Sequence, residues 1–166
     1  MAQSDFRSLS RNDQAFIGLG VLVLIASFLP WYGTTVSGKL LGRGFNVSST
    51  THAWHGWAAL GLILMLLATA LVVEQLFPDS KLPALKVSWN VVVLGLDALG
   101  ALLIIIRSFT LPSADGVGVS TGLRWGGWIL MIAAVAQVAV ALMRFRASGD
   151  SMPWSPAAPP PDEPEA

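Results

Sequence analysis

The 166-residue chain contains no cysteine. Disulfides, thiolate nucleophiles and cysteine-based metal sites are therefore excluded. Charge is scarce as well. Only 12% of the residues are charged, against about 25% in a soluble domain. Ten basic residues balance ten acidic ones, which argues against a nucleic-acid partner. Catalytic groupings are also missing. No Ser-His-Asp arrangement, Gly-rich phosphate loop or pair of carboxylates falls at a common depth, so no enzyme is expected. His52 and His55 offer two imidazoles without a third ligand nearby, and catalytic zinc sites use three. No metal and no cofactor is expected.

What the chain does have is apolar length. Hydrophobic residues make up 54% of it. They gather in four runs, at about 15–31, 56–77, 89–106 and 125–143. Each is close to the roughly 20 residues a helix needs to cross a bilayer core. The expected fold class is an all-α membrane protein, a four-transmembrane-helix bundle. Its expected organisation is a cytoplasmic leader at 1–14, a membrane domain at 15–146 and a disordered, acidic, Pro-rich tail at 147–166. The tail holds Pro153-x-x-Pro156 and Pro159-Pro160-Pro161, a composition that cannot bury a core. The first run is read as a retained helix rather than a cleaved signal. Asp5 and Asp13 dilute the basic leader, and the run ends in Phe28-Leu29-Pro30-Trp31-Tyr32 instead of a small-x-small site.

Lysine and arginine near the run ends set the orientation. With both termini inside, the inner segments hold Arg7, Arg11, Lys81, Lys86, Arg144 and Arg146, and the outer ones Lys39, Arg43, Arg107 and Arg124. Trp31, Trp54, Trp57, Trp125 and Trp128 then form an outer aromatic rim, with Trp89 at the inner interface. Indole rings favour the headgroup level. The rim is an anchoring belt or a patch that meets a partner or lipid. Between the first two runs the chain is rich in Gly, Ser, Thr and Val, which predicts a short β-hairpin or a mobile loop. The segment before the fourth run reads similarly, with Asp115-Gly116 as a turn signal.

Polar residues inside the runs are the chemical outliers. Asp97 sits at the midpoint of the third run, where a charged side chain does not face lipid. Asn90, Asp97, Gly100 and Ala101 share one helical face, and small residues on it admit a close neighbour. Thr69 and Gln137 fall at a similar depth in the second and fourth runs, Gln137 among Ala133, Ala134 and Ala141. The expected site is a buried polar cluster of Asp97, Gln137, Thr69 and Asn90, with Asp97 neutral and donating a hydrogen bond. It is a structural clasp or a proton or cation site.

The halves also echo each other. Ser27-Phe28 ends run one and Ser108-Phe109 follows run three, while Gly56-Trp57 and Gly127-Trp128 open runs two and four. Duplication and the ordinary use of such residues at membrane interfaces both account for this. The layout resembles small four-span integral membrane proteins common in actinobacteria, most of unknown function. The residues that carry the likeness are Phe28-Leu29-Pro30-Trp31-Tyr32 and the two Gly-Trp openings. The resemblance implies a bacterial plasma membrane location and no assigned activity. Claudin-like four-span proteins share the longer first outer loop but carry loop cysteines that this chain lacks. Two functions are expected to compete. One is a non-enzymatic accessory or scaffold subunit that binds a larger membrane or envelope partner. The other is a small oligomeric transporter or channel component that uses Asp97. The expected partners are the lipid bilayer and a protein or second copy, with no nucleic acid.

Overall fold

The structure is a computed structural model that describes residues 9–40, 43–77, 83, 87–110 and 118–150. In chain order it contains α1 (Arg11–Ser27), β1 (Tyr32–Leu40), β2 (Arg43–Thr51), α2 (Trp57–Gln75), α3 (Trp89–Phe109), β3 (Val119–Leu123) and α4 (Trp125–Ser148). Helices α2, α3 and α4 have 19, 21 and 24 residues and are long and apolar enough to cross a membrane. The membrane character read from the sequence is therefore present in three of the four runs.

Helix α1 is shorter. Its 17 residues span about 25 Å at 1.5 Å each. The first run was expected to extend to Trp31, but the helix stops at Ser27. The Ser27 hydroxyl donates to the Leu24 carbonyl at 2.6 Å, and Pro30 shortly after it disfavours further helix. The start is set by Ser10. Its hydroxyl accepts from the Asp13 amide at 3.2 Å and donates to the Asp13 carboxylate at 2.5 Å, a side-chain cap that begins the helix ahead of the apolar run.

Helix α4 runs on past Met143 to Ser148 and closes on Gly149 at φ 71°, the left-handed position that glycine fills at low cost. Ala147 and Ser148 are thus helix rather than tail. Residues 151–166 of the tail, the Asp115-Gly116 turn, Lys81 and Lys86 lie outside the described residues.

Each helix meets two others: α1 packs on α2 and α4, and α3 packs on α2 and α4. The tightest approach joins α2 to α3. A Cβ built on Gly61 would sit 2.6 Å from the Gly100 carbonyl oxygen, and one on Gly100 would sit 2.6 Å from that of Gly61. Gly20 on α1 likewise leaves room for the Thr69 side chain of α2. Val23, Leu62, Met65, Ile104 and Leu130 fill the core nearer the sheet, while Phe16, Ala68, Val72, Val93 and Ala141 fill the opposite end. Ile63, Leu67, Leu99, Leu102, Ile132 and Val135 point outward and are exposed, as the lipid-facing side of a membrane helix requires.

The predicted hairpin is present as β1 and β2, and β3 joins it in an antiparallel sheet of order β2-β1-β3. The register pairs Tyr32 with both Thr51 and Leu123. Successive strand residues alternate between faces. One face therefore carries Val36, Val47, Phe45 and Val119, while the other carries Gly33, Thr35, Asn46, Ser48, Thr50 and Ser120. Trp31 fastens the sheet to the helices. Its amide donates to the Thr51 carbonyl at 3.0 Å, and its carbonyl accepts from the Arg124 amide at 2.9 Å.

Candidate functional sites

Asp97 lies on the buried stripe of α3 with Val93, Gly100, Ala101 and Ile104. The face read as inward from its small residues is inward. The Asp97 side chain is 0% exposed, yet neither carboxylate oxygen has a hydrogen-bond partner among the described residues. Gln137 is equally buried, on the α4 face that also holds Ala133, Ala134 and Ala141. Its Nε2 donates to Thr69 Oγ1 at 3.0 Å, and that hydroxyl donates to the Met65 carbonyl at 3.0 Å. Gln137 Oε1 is unpaired.

The predicted four-residue cluster is therefore divided. Thr69 and Gln137 are joined, Asp97 is buried but unbonded among the described residues, and Asn90 belongs elsewhere. Asn90 and Asp97 do share a helical face, but seven residues of helix separate them by about 10 Å along the axis. A common face does not give a common depth.

Asn90 instead serves a junction at the end of the helices away from the sheet. Asp150 Oδ2 accepts from Ser88 Oγ at 2.5 Å, Asn90 Nδ2 at 2.9 Å and Ser148 Oγ at 2.8 Å. Ser88 is also the N-cap of α3, so Asp150 ties the start of α3 to the end of α4. The hydrogen bond from Ser88, then those from Asn90 and Ser148, hold the Asp150 carboxyl below its ordinary value of 3.8. A depressed carboxyl stabilises the fold above its unfolded value and loses that contribution as pH falls through the folded one. The junction is thus complete at neutral pH and weakens only below about 3.8. Asp150→Ala at neutral pH is expected to speed amide exchange in the last turn of α4 by roughly two- to fivefold, the range of an exposed polar contact. Acidification through the lowered Asp150 value should reproduce that change in the native chain and have a smaller effect on the variant.

The same end carries an ion pair that composition alone did not reveal. Arg144 Nε on α4 contacts Asp13 Oδ1 on α1 at 2.6 Å, with side chains only 11% and 16% exposed. Arg144 Nη2 also donates to Gln75 Oε1 of α2 at 3.4 Å, and the guanidinium stands 5.8 Å from the Phe16 ring centre. The sequence signal was a basic residue closing one run and an acid opening another.

At the sheet end the predicted aromatic rim separates into two groups. Trp57, Trp125 and Trp128 are 65%, 58% and 52% exposed, with Phe28 and Phe109 exposed beside these helix ends. Trp31 is not part of a rim: it is 2% exposed, its ring packed in the core and against Gly127 at the start of α4. Trp54 is half-buried, and its Nε1 donates to Ser27 Oγ at 2.9 Å, with its ring 5.7 Å from that of Phe28. Trp89, expected at the other interface, donates from Nε1 to the Pro83 carbonyl at 3.1 Å.

Arg124 was counted in the sequence only as an outer charge. It is the residue just before α4, and its Nη2 donates to Thr35 Oγ1 at 2.5 Å. Its Nε is buried without a partner among the described residues. Gly33 makes room for it, since a Cβ there would lie 2.5 Å from that nitrogen. No group of three or more metal-ligating side chains occurs among the described residues. No protein-family model matches the chain, and no curated protein and no solved structure matches it.

Proposed function

We propose that this chain is a non-enzymatic, multi-pass protein of a bacterial plasma membrane that acts as an accessory or scaffold subunit. In this reading all four helices cross the bilayer as one bundle, with both termini in the cytoplasm and the sheet outside. The exposed Val21, Leu22 and Ile25 of α1 support a fourth span, since such a surface suits lipid. The Asp13–Arg144 pair and the Asp150 junction lie together at the opposite end from the sheet, which supports two distinct aqueous faces.

The observation that carries the partner reading is strand β2. It is one of the two edges of the sheet and, unlike β3, is exposed along nearly its whole length, Arg43–Thr50. An edge strand offers unpaired backbone groups to an extended segment of another protein. Phe45 and Val47, 44% and 61% exposed, add apolar anchors on one face. The rigid attachment through Trp31 lets helices and sheet present that edge at a fixed height. Val47→Lys, an edge charge of the kind that blocks strand pairing, tests it. A partner cross-linked from position 49, on the same strand and face, in intact membranes is expected to drop about tenfold in yield, with helix content unchanged. An unchanged cross-linking pattern would sink the reading.

A second reading rests on Asp97. A buried acid whose two oxygens lack partners among the described residues is a candidate for proton or cation handling, and four helices alone enclose little space, so it would act as an oligomer.

A further inference from the structure

The polar face of the sheet and the start of α4 enclose a cleft of about 580 Å³. Its floor is Thr35, Asn46, Ser48 and Thr50, and its walls include Arg124 and Trp125. The register explains this composition. All four floor residues occupy the same strand parity, opposite to Val36, Phe45 and Val47. The cleft and the apolar face proposed for a protein partner are thus on opposite sides of the sheet, and the two assignments stand or fall separately.

Every polar side chain in that lining can donate a hydrogen bond, and none is acidic. Arg124 supplies the charge. Its guanidinium is held against β1 by Thr35 and lies over the bare backbone of Gly33. No described acid pairs with it, and its Nε is buried and unpartnered. A guanidinium fixed in this way, with hydroxyl and amide donors around it, has the chemistry of an oxoanion receptor. Trp125 adds a second constraint. It is the first residue of an apolar helix and is 58% exposed, and indole rings favour the headgroup level of a bilayer. On the membrane reading proposed above, on which the lipid form of this inference rests, the mouth of the cleft is at the depth where lipid phosphates lie.

We infer that this cleft binds a phosphate oxoanion at Arg124, with the hydroxyls of Ser48 and Thr50 and the amide of Asn46 receiving the polar group attached to it. The phosphate belongs to an anionic phospholipid headgroup or to a soluble phosphate ester; the chemistry at Arg124 is the same.

The test uses the full chain purified in a mild neutral detergent. Phosphatidylglycerol, phosphatidylcholine and inorganic phosphate are added separately. Native mass spectrometry counts bound lipid, and thermal unfolding reads stabilisation. Phosphatidylglycerol is expected to remain bound and raise the melting temperature, and Arg124→Gln should weaken it by about tenfold or more, the effect of losing one charge-assisted contact. Because Arg124 also bonds Thr35, a second variant is needed. Ser48→Tyr fills the floor, leaves Arg124 intact and sits at an exposed position, so it should fold and lose the lipid equally. Stabilisation by inorganic phosphate, removed by both variants, would assign the site to a soluble phosphate ester. Equal retention of phosphatidylglycerol by the native chain and a folded Ser48→Tyr variant would overturn the inference, as would failure of both phosphate sources to bind the native chain.

Discussion

Leucine at Gly100 is expected to cost about 3 kcal/mol or to prevent assembly of the helices, the upper range for overpacking a filled core. The reason is the nature of the obstacle. A Cβ at Gly100 meets the carbonyl oxygen of Gly61 at 2.6 Å and the Met65 side chain at 2.7 Å. A flexible side chain can swing aside, but a helix backbone cannot. Relief requires α2 and α3 to move apart along their whole contact, which forfeits the packing of Leu62, Met65 and Ile104 together. Alanine at Gly100 is a finer probe. Helix propensity favours it by roughly 1 kcal/mol, so a net loss isolates the clash. Gly95 is the internal control on the same helix, because a Cβ there meets nothing within 4 Å. Gly95→Ala should be neutral or gain up to about 1 kcal/mol. Unfolding of both alanine variants in one detergent decides the matter. Similar values for the two would mean that the close approach does not exist.

Leucine at Asp97 is expected to stabilise the protein by about 1–3 kcal/mol, the usual penalty of an unsatisfied buried polar group. A clasp predicts the opposite sign. If Asp97 held neighbouring helices by hydrogen bonds, its removal would cost about 1–2 kcal/mol per contact at best. Geometry favours release, since both carboxylate oxygens are buried without partners among the described residues, while Gln137 and Thr69 satisfy each other. Asp97→Asn keeps the volume and removes the ionisable group, so it separates shape from chemistry. Proton or cation flux into vesicles containing the chain is the matching functional measurement. Flux lost in both variants, with stability raised in Asp97→Leu, assigns the residue to transport. Lowered stability in Asp97→Leu restores the clasp.

Much of this was legible because membrane helices are written in length. Helices α2, α3 and α4 follow three apolar runs, and their bounds agree where a local signal marks them, as Trp57 and Trp125 do. The inward side of α3 was legible too, because Gly100 and Ala101 flank Asp97 at helical spacing and small residues mark close contact. Thr69 and Gln137 were placed at one depth, which the 1.5 Å rise converts from position, but as partners of Asp97 rather than of each other. Other features were not visible for particular physical reasons. Trp31 looked like an interfacial anchor because indole at a run end usually is one. Its burial depends on the core and on α4 closing against it at Gly127, contacts between residues far apart in the chain. Asn90 looked like a member of the Asp97 cluster because its true partner, Asp150, is 60 residues away, beyond the last apolar run. Arg124 looked like one more surface charge, since the glycine that accommodates it is on another strand.

Taken alone, the sequence determined the environment: apolar runs long enough for a bilayer, a thin supply of charge at their ends, no cysteine, and a Ser-, Thr- and Gly-rich segment able to form strands. These follow from composition and periodicity, which are properties of neighbours along the chain. Tertiary structure alone decided which polar groups meet. It paired Asp13 with Arg144 and Asp150 with Asn90, left Asp97 without a partner among the described residues, put Trp31 in the core, and laid Arg124 over Gly33. Hydrogen bonds and ion pairs act over about 3 Å, and only the packed fold brings residues so distant in sequence within that reach.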